Sequence, residues 1–440
     1  MAATVALHGE TAVYARPRKI ADRFAIHAAV AFDGTGAPSL RDAVVLVENG
    51  RVVAFGTAPQ IGELSGAYTV LEFPEHTVLP GLIDCHVHLM LVGDGRPIES
   101  IIDETNELLL LRSAQNAASH LAGGVTTIRE LGARGRVTFD LREAVRAGLA
   151  PAPRLLLSGR PITPIGGHCH FFGGACEGTK AVRETARRLL QEGADVIKLM
   201  ATGGLTRGTE HHVLGLDVEA MRVAVEEAHR AGRPTTVHAS SIRGMRNALA
   251  AGVDCIEHAV FLNDSGTLTF DERLAEEVAE AGVFVSPTLQ EAYRGVAALE
   301  EHPHALSVAE KAELVALRER KLGNIRNAAR LHHAGVRLVA GSDAGSRVTL
   351  HGDLAFGVDL MTHADLSIAE AVYSATGLAA EACGIACNVG TLAPGKVADL
   401  LVVKGNVPAD VRALANAQVV FQAGHVVAER VGRNGDAPAR

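Results

Sequence analysis

Two patterns of apolar positions divide the chain. From Phe24 to about Leu79, short β-branched runs alternate with turn signals: AIHAAVAF, DAVVLVENGRVVAFG and YTVLEF. Asn49-Gly50 stands between two of these runs, the strongest short-range signal for a hairpin. A matching block returns near the other end, GTLAPGKVADLLVVKG at 390–405 and QVVFQAGHVVAE at 418–429, with a turn at Ala423-Gly424. Two β-rich pieces of this kind can pair into one small sandwich that brackets the middle. Residues 1–20 carry no clear periodicity and read as a loose arm.

Between them, short apolar strands alternate with helical stretches of ten to twenty residues. The strands are TVLPGLIDCHVHL, GVTTIRELG, PRLLLSG, DVIKLMATGG, PTTVHAS, DCIEHAV, VFVSPTLQ and VRLVAGSDAG. Amphipathic segments at 180–193, 217–232 and 309–335 each end on glycine, the usual residue just past a helix. Eight strands alternating with helices predict parallel βα units, and eight such units close a barrel. The expected α/β fold is therefore a (β/α)₈ TIM-like barrel over 78–385. A composite β-sandwich is expected from 21–77 and 386–432, with 1–20 as the arm. A doubly wound sheet is the competing fold; polar residues at the ends of several different strands favour the barrel.

Composition narrows the class. At 48% apolar and 21% charged the profile is globular, and 440 residues suit one large barrel with a smaller companion. The formal charge is −8, with no long run of Lys or Arg, so nucleic acid is not an expected partner. No apolar run approaches the roughly 18 residues of a membrane helix, and the N-terminus lacks a signal-peptide layout. The six cysteines lie mostly in apolar surroundings, as small buried hydrophobes do in a reducing compartment. A cytoplasmic location is expected.

Chemistry gathers at the strand ends. His86 and His88 are two apart on the first barrel strand, so both imidazoles leave the same face and can share one ion. Neutral histidine, abundant near pH 7, is the commonest metal ligand. Lys198, His238, His258 and Asp343 each stand alone in, or at the end of, another apolar strand. Buried charge needs a partner or a metal, and the conjunction of all six predicts a metal site. Arg129 and Glu130, adjacent on the second strand, are expected to form a structural ion pair.

The set PGLIDCHVHL, VIKLMATGG, TTVHAS, CIEHAVF and GSDAG resembles the amidohydrolase superfamily, and GTLAPGKVADLLVV resembles the C-terminal part of its urease-like β-sandwich. Through GRPITPIGGHCHFFGG at 159–174, the resemblance is to its prolidase-like and imidazolonepropionase-related branch. It implies that His86, His88 and Asp343 bind one divalent ion, and His238 and His258 a second. Lys198 would bridge them after N-carboxylation by CO₂. It also implies a water activated to hydroxide between the ions, with Asp343 moving the proton as base and then acid. Zinc suits such a nitrogen and oxygen site, and manganese or iron could substitute. Homo-oligomers are common among such enzymes.

The expected reaction is cleavage of an amide in a small molecule, dipeptide-like or an N-acyl amino acid. The same site could open a lactone, carbamate or phosphotriester, and a scaffold without activity is the reading from another class. Six loop residues are candidates for substrate contact: His168 and His170, Arg207, His211 and His212, and Tyr293. The cations and histidines among them would suit a substrate carboxylate.

Overall fold

The computed structural model describes residues 17–64, 66–301 and 306–430, together with the backbone of 4–7 and 10–13. Both hairpin signals form turns. Asn49 and Gly50 join Leu40–Glu48 to Arg51–Thr57, and Ala423 and Gly424 join Ala417–Gln422 to His425–Arg430; all four turn residues have positive φ. Two successive left-handed residues are what a two-residue hairpin turn requires. The two turns abut: a Cβ on Gly50 would lie 2.5 Å from the Ala423 carbonyl oxygen, so glycine is needed for contact as well as for twist.

The terminal segments join in one ten-stranded sheet. Its central seam pairs Thr69–Pro80 with Leu400–Lys404, antiparallel, with Leu79 opposite Leu401. The sheet curls, since Phe24 stacks on Phe421 at 5.6 Å across three intervening pairings. Phe24, Ile26, Val45, Phe73, Leu400, Val402 and Phe421 share its buried interior. The stretch expected as an arm contains the strands Thr4–Leu7 and Glu10–Val13, the second paired with His425–Arg430. Arg18–Lys19 pairs with that same strand, so an edge strand supplies order that local periodicity does not signal.

Eight parallel strands follow, in two sheets. Leu82–Val87, Val125–Glu130 and Arg154–Leu157 form the first. Ile197–Met200, Thr235–Ser241, Cys255–Leu262, Phe284–Ser286 and Arg337–Leu338 form the second. Backbone hydrogen bonds cross both seams. Ile162 N–H donates to Lys198 O (2.9 Å) on one side, and Cys85 N–H to Ala340 O (3.0 Å) and His88 N–H to Ala344 O (2.9 Å) on the other. This is a TIM-barrel-like α/β fold. Helices such as Gly178–Gln191 and Val218–Arg230 cover it, and one continuous apolar core runs from the strands into Leu401, Val403 and Val427 of the terminal sheet.

Among the described residues no helix is long and apolar enough to cross a membrane. Five cysteines are buried and free, and Cys387 is exposed.

Candidate active site

Because the eight strands are parallel, residues at their C-terminal ends meet at one end of the fold. His86, His88, Lys198, His238, His258 and Asp343 all line one cavity there. His86 Nε2, His88 Nε2 and Asp343 Oδ1 form a triangle with sides of 3.3, 3.4 and 3.6 Å. Ligands held about 2.0–2.2 Å from a tetrahedral ion lie about 3.3–3.6 Å apart, so these three atoms fit a divalent metal. Ligand atoms of His86, His258 and Asp343 also fall within 4.8 Å of one another. The His258 ring is 4.5 Å from that of His238 and 5.1 Å from that of His86.

Hydrogen bonds decide which nitrogen each ring presents. Glu257 can only accept when ionised, so His86 Nδ1–H donates to its Oε2 (2.8 Å), and the Nε2 lone pair is left facing the triangle. His238 Nε2–H donates to Gly203 O (2.9 Å), which leaves Nδ1 bare. His258 Nδ1 meets Thr288 Oγ1 at 2.8 Å. Thr288, His258 and Asp343 all have positive φ, each at a cost of about 1–3 kcal/mol, and all three line the cavity.

Burial sets the charge states. It pushes His238 and His258 well below the ordinary histidine range; for His86 the nearby Lys198 adds to the same effect. These rings are neutral near pH 7, as ligands must be. Lys198 is fully buried with no ion pair among the described residues, and burial lowers its pKa. For Asp343, burial raises the pKa, but His86, His88 and Lys198 outweigh it and the net shift is downward.

Sequence reasoning missed the support beneath these side chains. Glu257 is buried, and its carboxylate also accepts from Arg129 Nη2 (2.8 Å), from Thr236 and from Cys255. Burial opposes its ionisation, yet Arg129 and His86 bring its pKa below the usual carboxylate range. Arg129 therefore pairs with Glu257, not with Glu130 as expected. Adjacent residues of a strand point to opposite faces, so Arg129 and Glu130 cannot meet. Glu130 instead accepts from Gly132 N–H (3.3 Å), and burial pushes it up to about 8. Asp84, pushed up to about 7 by burial, accepts from Ser342 N–H (3.0 Å) and Oγ–H (2.6 Å) and so ties the Asp343 loop to the first strand.

The six substrate candidates separate. His168 and His211 line the cavity. His168 Nδ1 lies 2.9 Å from Thr206 Oγ1, and a side chain on Gly204 would strike its ring. The other four lie off the cavity wall: His170 is held to Gly167 O (3.0 Å), and Arg207 is exposed, with its backbone N–H on Glu99. His212 packs against Gly266, and Tyr293 packs between Lys321 and Phe356. Arg320, Asn324, Glu291 and Ser240 line the cavity without having been expected there.

Neutral histidines, a buried lysine and an aspartate meet at the strand ends of a TIM-barrel-like fold, and the family and relatives that follow make the class a hydrolase acting on carbon–nitrogen bonds. The chain matches the amidohydrolase family over residues 77–436 and belongs to it. It is 25% identical to ochratoxinase from Aspergillus niger over 431 residues, covering 90% of this chain and 84% of that one. With imidazolonepropionase from Rhizobium rhizogenes it shares 24% identity over 403 residues, 83% of this chain and 88% of the other. A crystal structure of a Xaa-Pro dipeptidase with methionine bound in the active site superposes with a TM-score of 0.79 at 26% identity, covering 92% and 99% of the two chains.

Proposed function

We propose that this chain is a binuclear metal-dependent hydrolase that cleaves the amide of a dipeptide-like or N-acyl amino acid substrate. The observation that carries the reading is the triangle of His86, His88 and Asp343, set in one cavity with His238, His258 and Lys198. His86, His88 and Asp343 would hold one ion, His238 and His258 the other, and carboxylated Lys198 both. Two bound divalent ions supply an acidified water and a polarised substrate carbonyl; zinc is the metal we assign.

The chain's own residues do the rest. Asp343 Oδ1 faces the histidines, which leaves Oδ2 to take a proton from water and pass it to the leaving nitrogen. Glu257 holds His86 in the tautomer whose Nε2 is free. Leu91, Ile98, Phe172, Met200, Leu205 and Val260 make the cavity largely apolar, which keeps charge unscreened. The Xaa-Pro dipeptidase with methionine bound in its active site supports an amino-acid-type substrate.

We further propose a closed (β/α)₈ barrel over 78–385, with a composite sandwich from 21–77 and 386–432, in a cytoplasmic enzyme. Elemental analysis and a substrate panel test the functional reading. Purified protein is expected to carry close to two divalent ions and to cut N-acyl amino acids or dipeptides. Lactones or phosphotriesters turned over with kcat/KM far above every amide would overturn the amide assignment and leave the metal site standing. Protein that takes up no metal would overturn the metal site.

A further inference from the structure

The cavity has a second wall, supplied by the helix Val308–His333. Arg320 and Asn324 lie four residues apart on that helix, hence on one face, and both line the cavity. Arg320 is half-buried and makes no ion pair among the described residues. Asn324 presents a buried side-chain oxygen with no hydrogen-bond partner.

The other positive groups near the site are already used or uncharged. Arg347 sits 3.0 Å from Glu291 and also pairs with Glu313, so it is matched, and with it the carboxylate that Glu291 contributes to the cavity. Arg207 is exposed and off the wall. His168 is neutral through burial, and His211 is pushed down to about 3 by burial and then by Arg320 and Arg347. These histidines can donate or accept a hydrogen bond near pH 7 but cannot match an anion's charge. Among the described residues on the wall, Arg320 is the one guanidinium. A planar guanidinium binds a carboxylate through two parallel hydrogen bonds.

We propose that Arg320 is the carboxylate anchor of this site, with Asn324 beside it accepting from the N–H that flanks that carboxylate. The identity of the cleaved bond rests on the amide reading above; the anchor itself would serve any small carboxylate that enters the cavity. The substrate class becomes one with a free carboxylate close to the scissile group, and the helical wall becomes its specificity element.

The test uses two ligands without an amide, 3-phenylpropanoate and 3-phenylpropanol, titrated calorimetrically into the purified enzyme and its Arg320→Met and Arg320→Lys variants. The acid is expected to bind wild type about tenfold to hundredfold tighter than the alcohol, the range of one charged hydrogen-bonded pair. Arg320→Met should erase that preference without weakening the alcohol, and Arg320→Lys should restore part of it. Methionine is a good helix former, so the variant is expected to fold. A wild type without preference, or a preference retained in Arg320→Met because the metal centre or another cation holds the acid, overturns the anchor. Loss of the preference in Arg320→Met, in an enzyme that cuts neither N-acyl amino acids nor dipeptides, leaves the anchor standing and overturns the amide reading alone.

Discussion

Replacing Glu257 by glutamine changes one atom yet reaches the proposed metal site through His86. The carboxylate accepts at both oxygens: Arg129, Thr236 and Cys255 donate to Oε1, and His86 Nδ1–H to Oε2. Glutamine keeps a single oxygen, which the three donors at Oε1 will claim. Its NH₂ then faces His86 Nδ1, and two donors cannot meet. The ring escapes by moving its proton to Nε2, the atom that faces His88 and Asp343. Loss of a ligand's supporting carboxylate costs about 10–100-fold in metal affinity. Arg129, equally buried, loses its counter-charge, and breaking a buried pair costs about 3–5 kcal/mol. The chain has no tryptophan, so urea unfolding is followed by far-UV circular dichroism, alongside metal content at a series of chelator concentrations. Glu257→Gln should lose metal at lower chelator and unfold at lower urea; adding Arg129→Met should recover part of the urea midpoint and none of the metal affinity. A variant with wild-type metal retention would refute the tautomer argument. One with wild-type unfolding would refute the pairing.

Lys198→Ala should lose at least one of the two ions by elemental analysis, and metal-free wild type reconstituted without bicarbonate should recover activity poorly. Full occupancy in the alanine variant would end the bridging role. Asp343→Asn should fold nearly normally while turnover falls by ~10³ or more, since it keeps an oxygen near the metal but cannot carry the proton; wild-type turnover would assign the proton transfer elsewhere. Glu130 has a folded pKa of about 8 against an ordinary 4.5, so between those values the folded state holds a proton that the unfolded state has released. Its contribution to stability is therefore full below about pH 4.5, falls as pH rises, and levels off above about 8, with a slope of at most about 1.4 kcal/mol per unit. Glu130→Gln should flatten the decline in urea midpoint between pH 6 and 8; an unchanged decline would place the titrating group elsewhere.

The six cavity residues expected from the strands were legible because each is a polar group in an apolar strand, and strand periodicity says which neighbours share a face. His86 and His88 converge as a spacing of two requires. Loop and helix positions lack such a rule. Glu291 lines the cavity while Tyr293 packs against Phe356, because two residues along the helix that begins at Gln290 turn the side chain by about 200°. That rotation depends on where the helix starts, which the sequence around SPTLQEAYR does not mark. His211 and His212 likewise divide between the cavity and Gly266. Arg320 was hidden for another reason: in an amphipathic pattern, a polar residue that faces a cavity looks like one that faces water. Glu257 was hidden by distance, since the ring it orients lies 171 residues away in sequence.

The charge of the buried cluster bears on how many ions it can hold. Glu257 and Arg129 cancel, and burial keeps His86, His238 and His258 neutral, so Asp343 is the one carboxylate among the six cavity residues, while burial lowers the pKa of Lys198. One carboxylate offsets one divalent ion by half, and two ions by a quarter. Repulsion between two poorly compensated cations in an apolar cavity is severe at low dielectric. On the binuclear reading proposed above, an anion at Lys198 would arrive with the second ion, since a buried lysine with a lowered pKa is poised to lose its proton and take up CO₂. Binding of the second ion and of CO₂ should accordingly be coupled, each tightening the other by the same factor. A cluster that bound two ions equally well with and without CO₂ would refute this coupling.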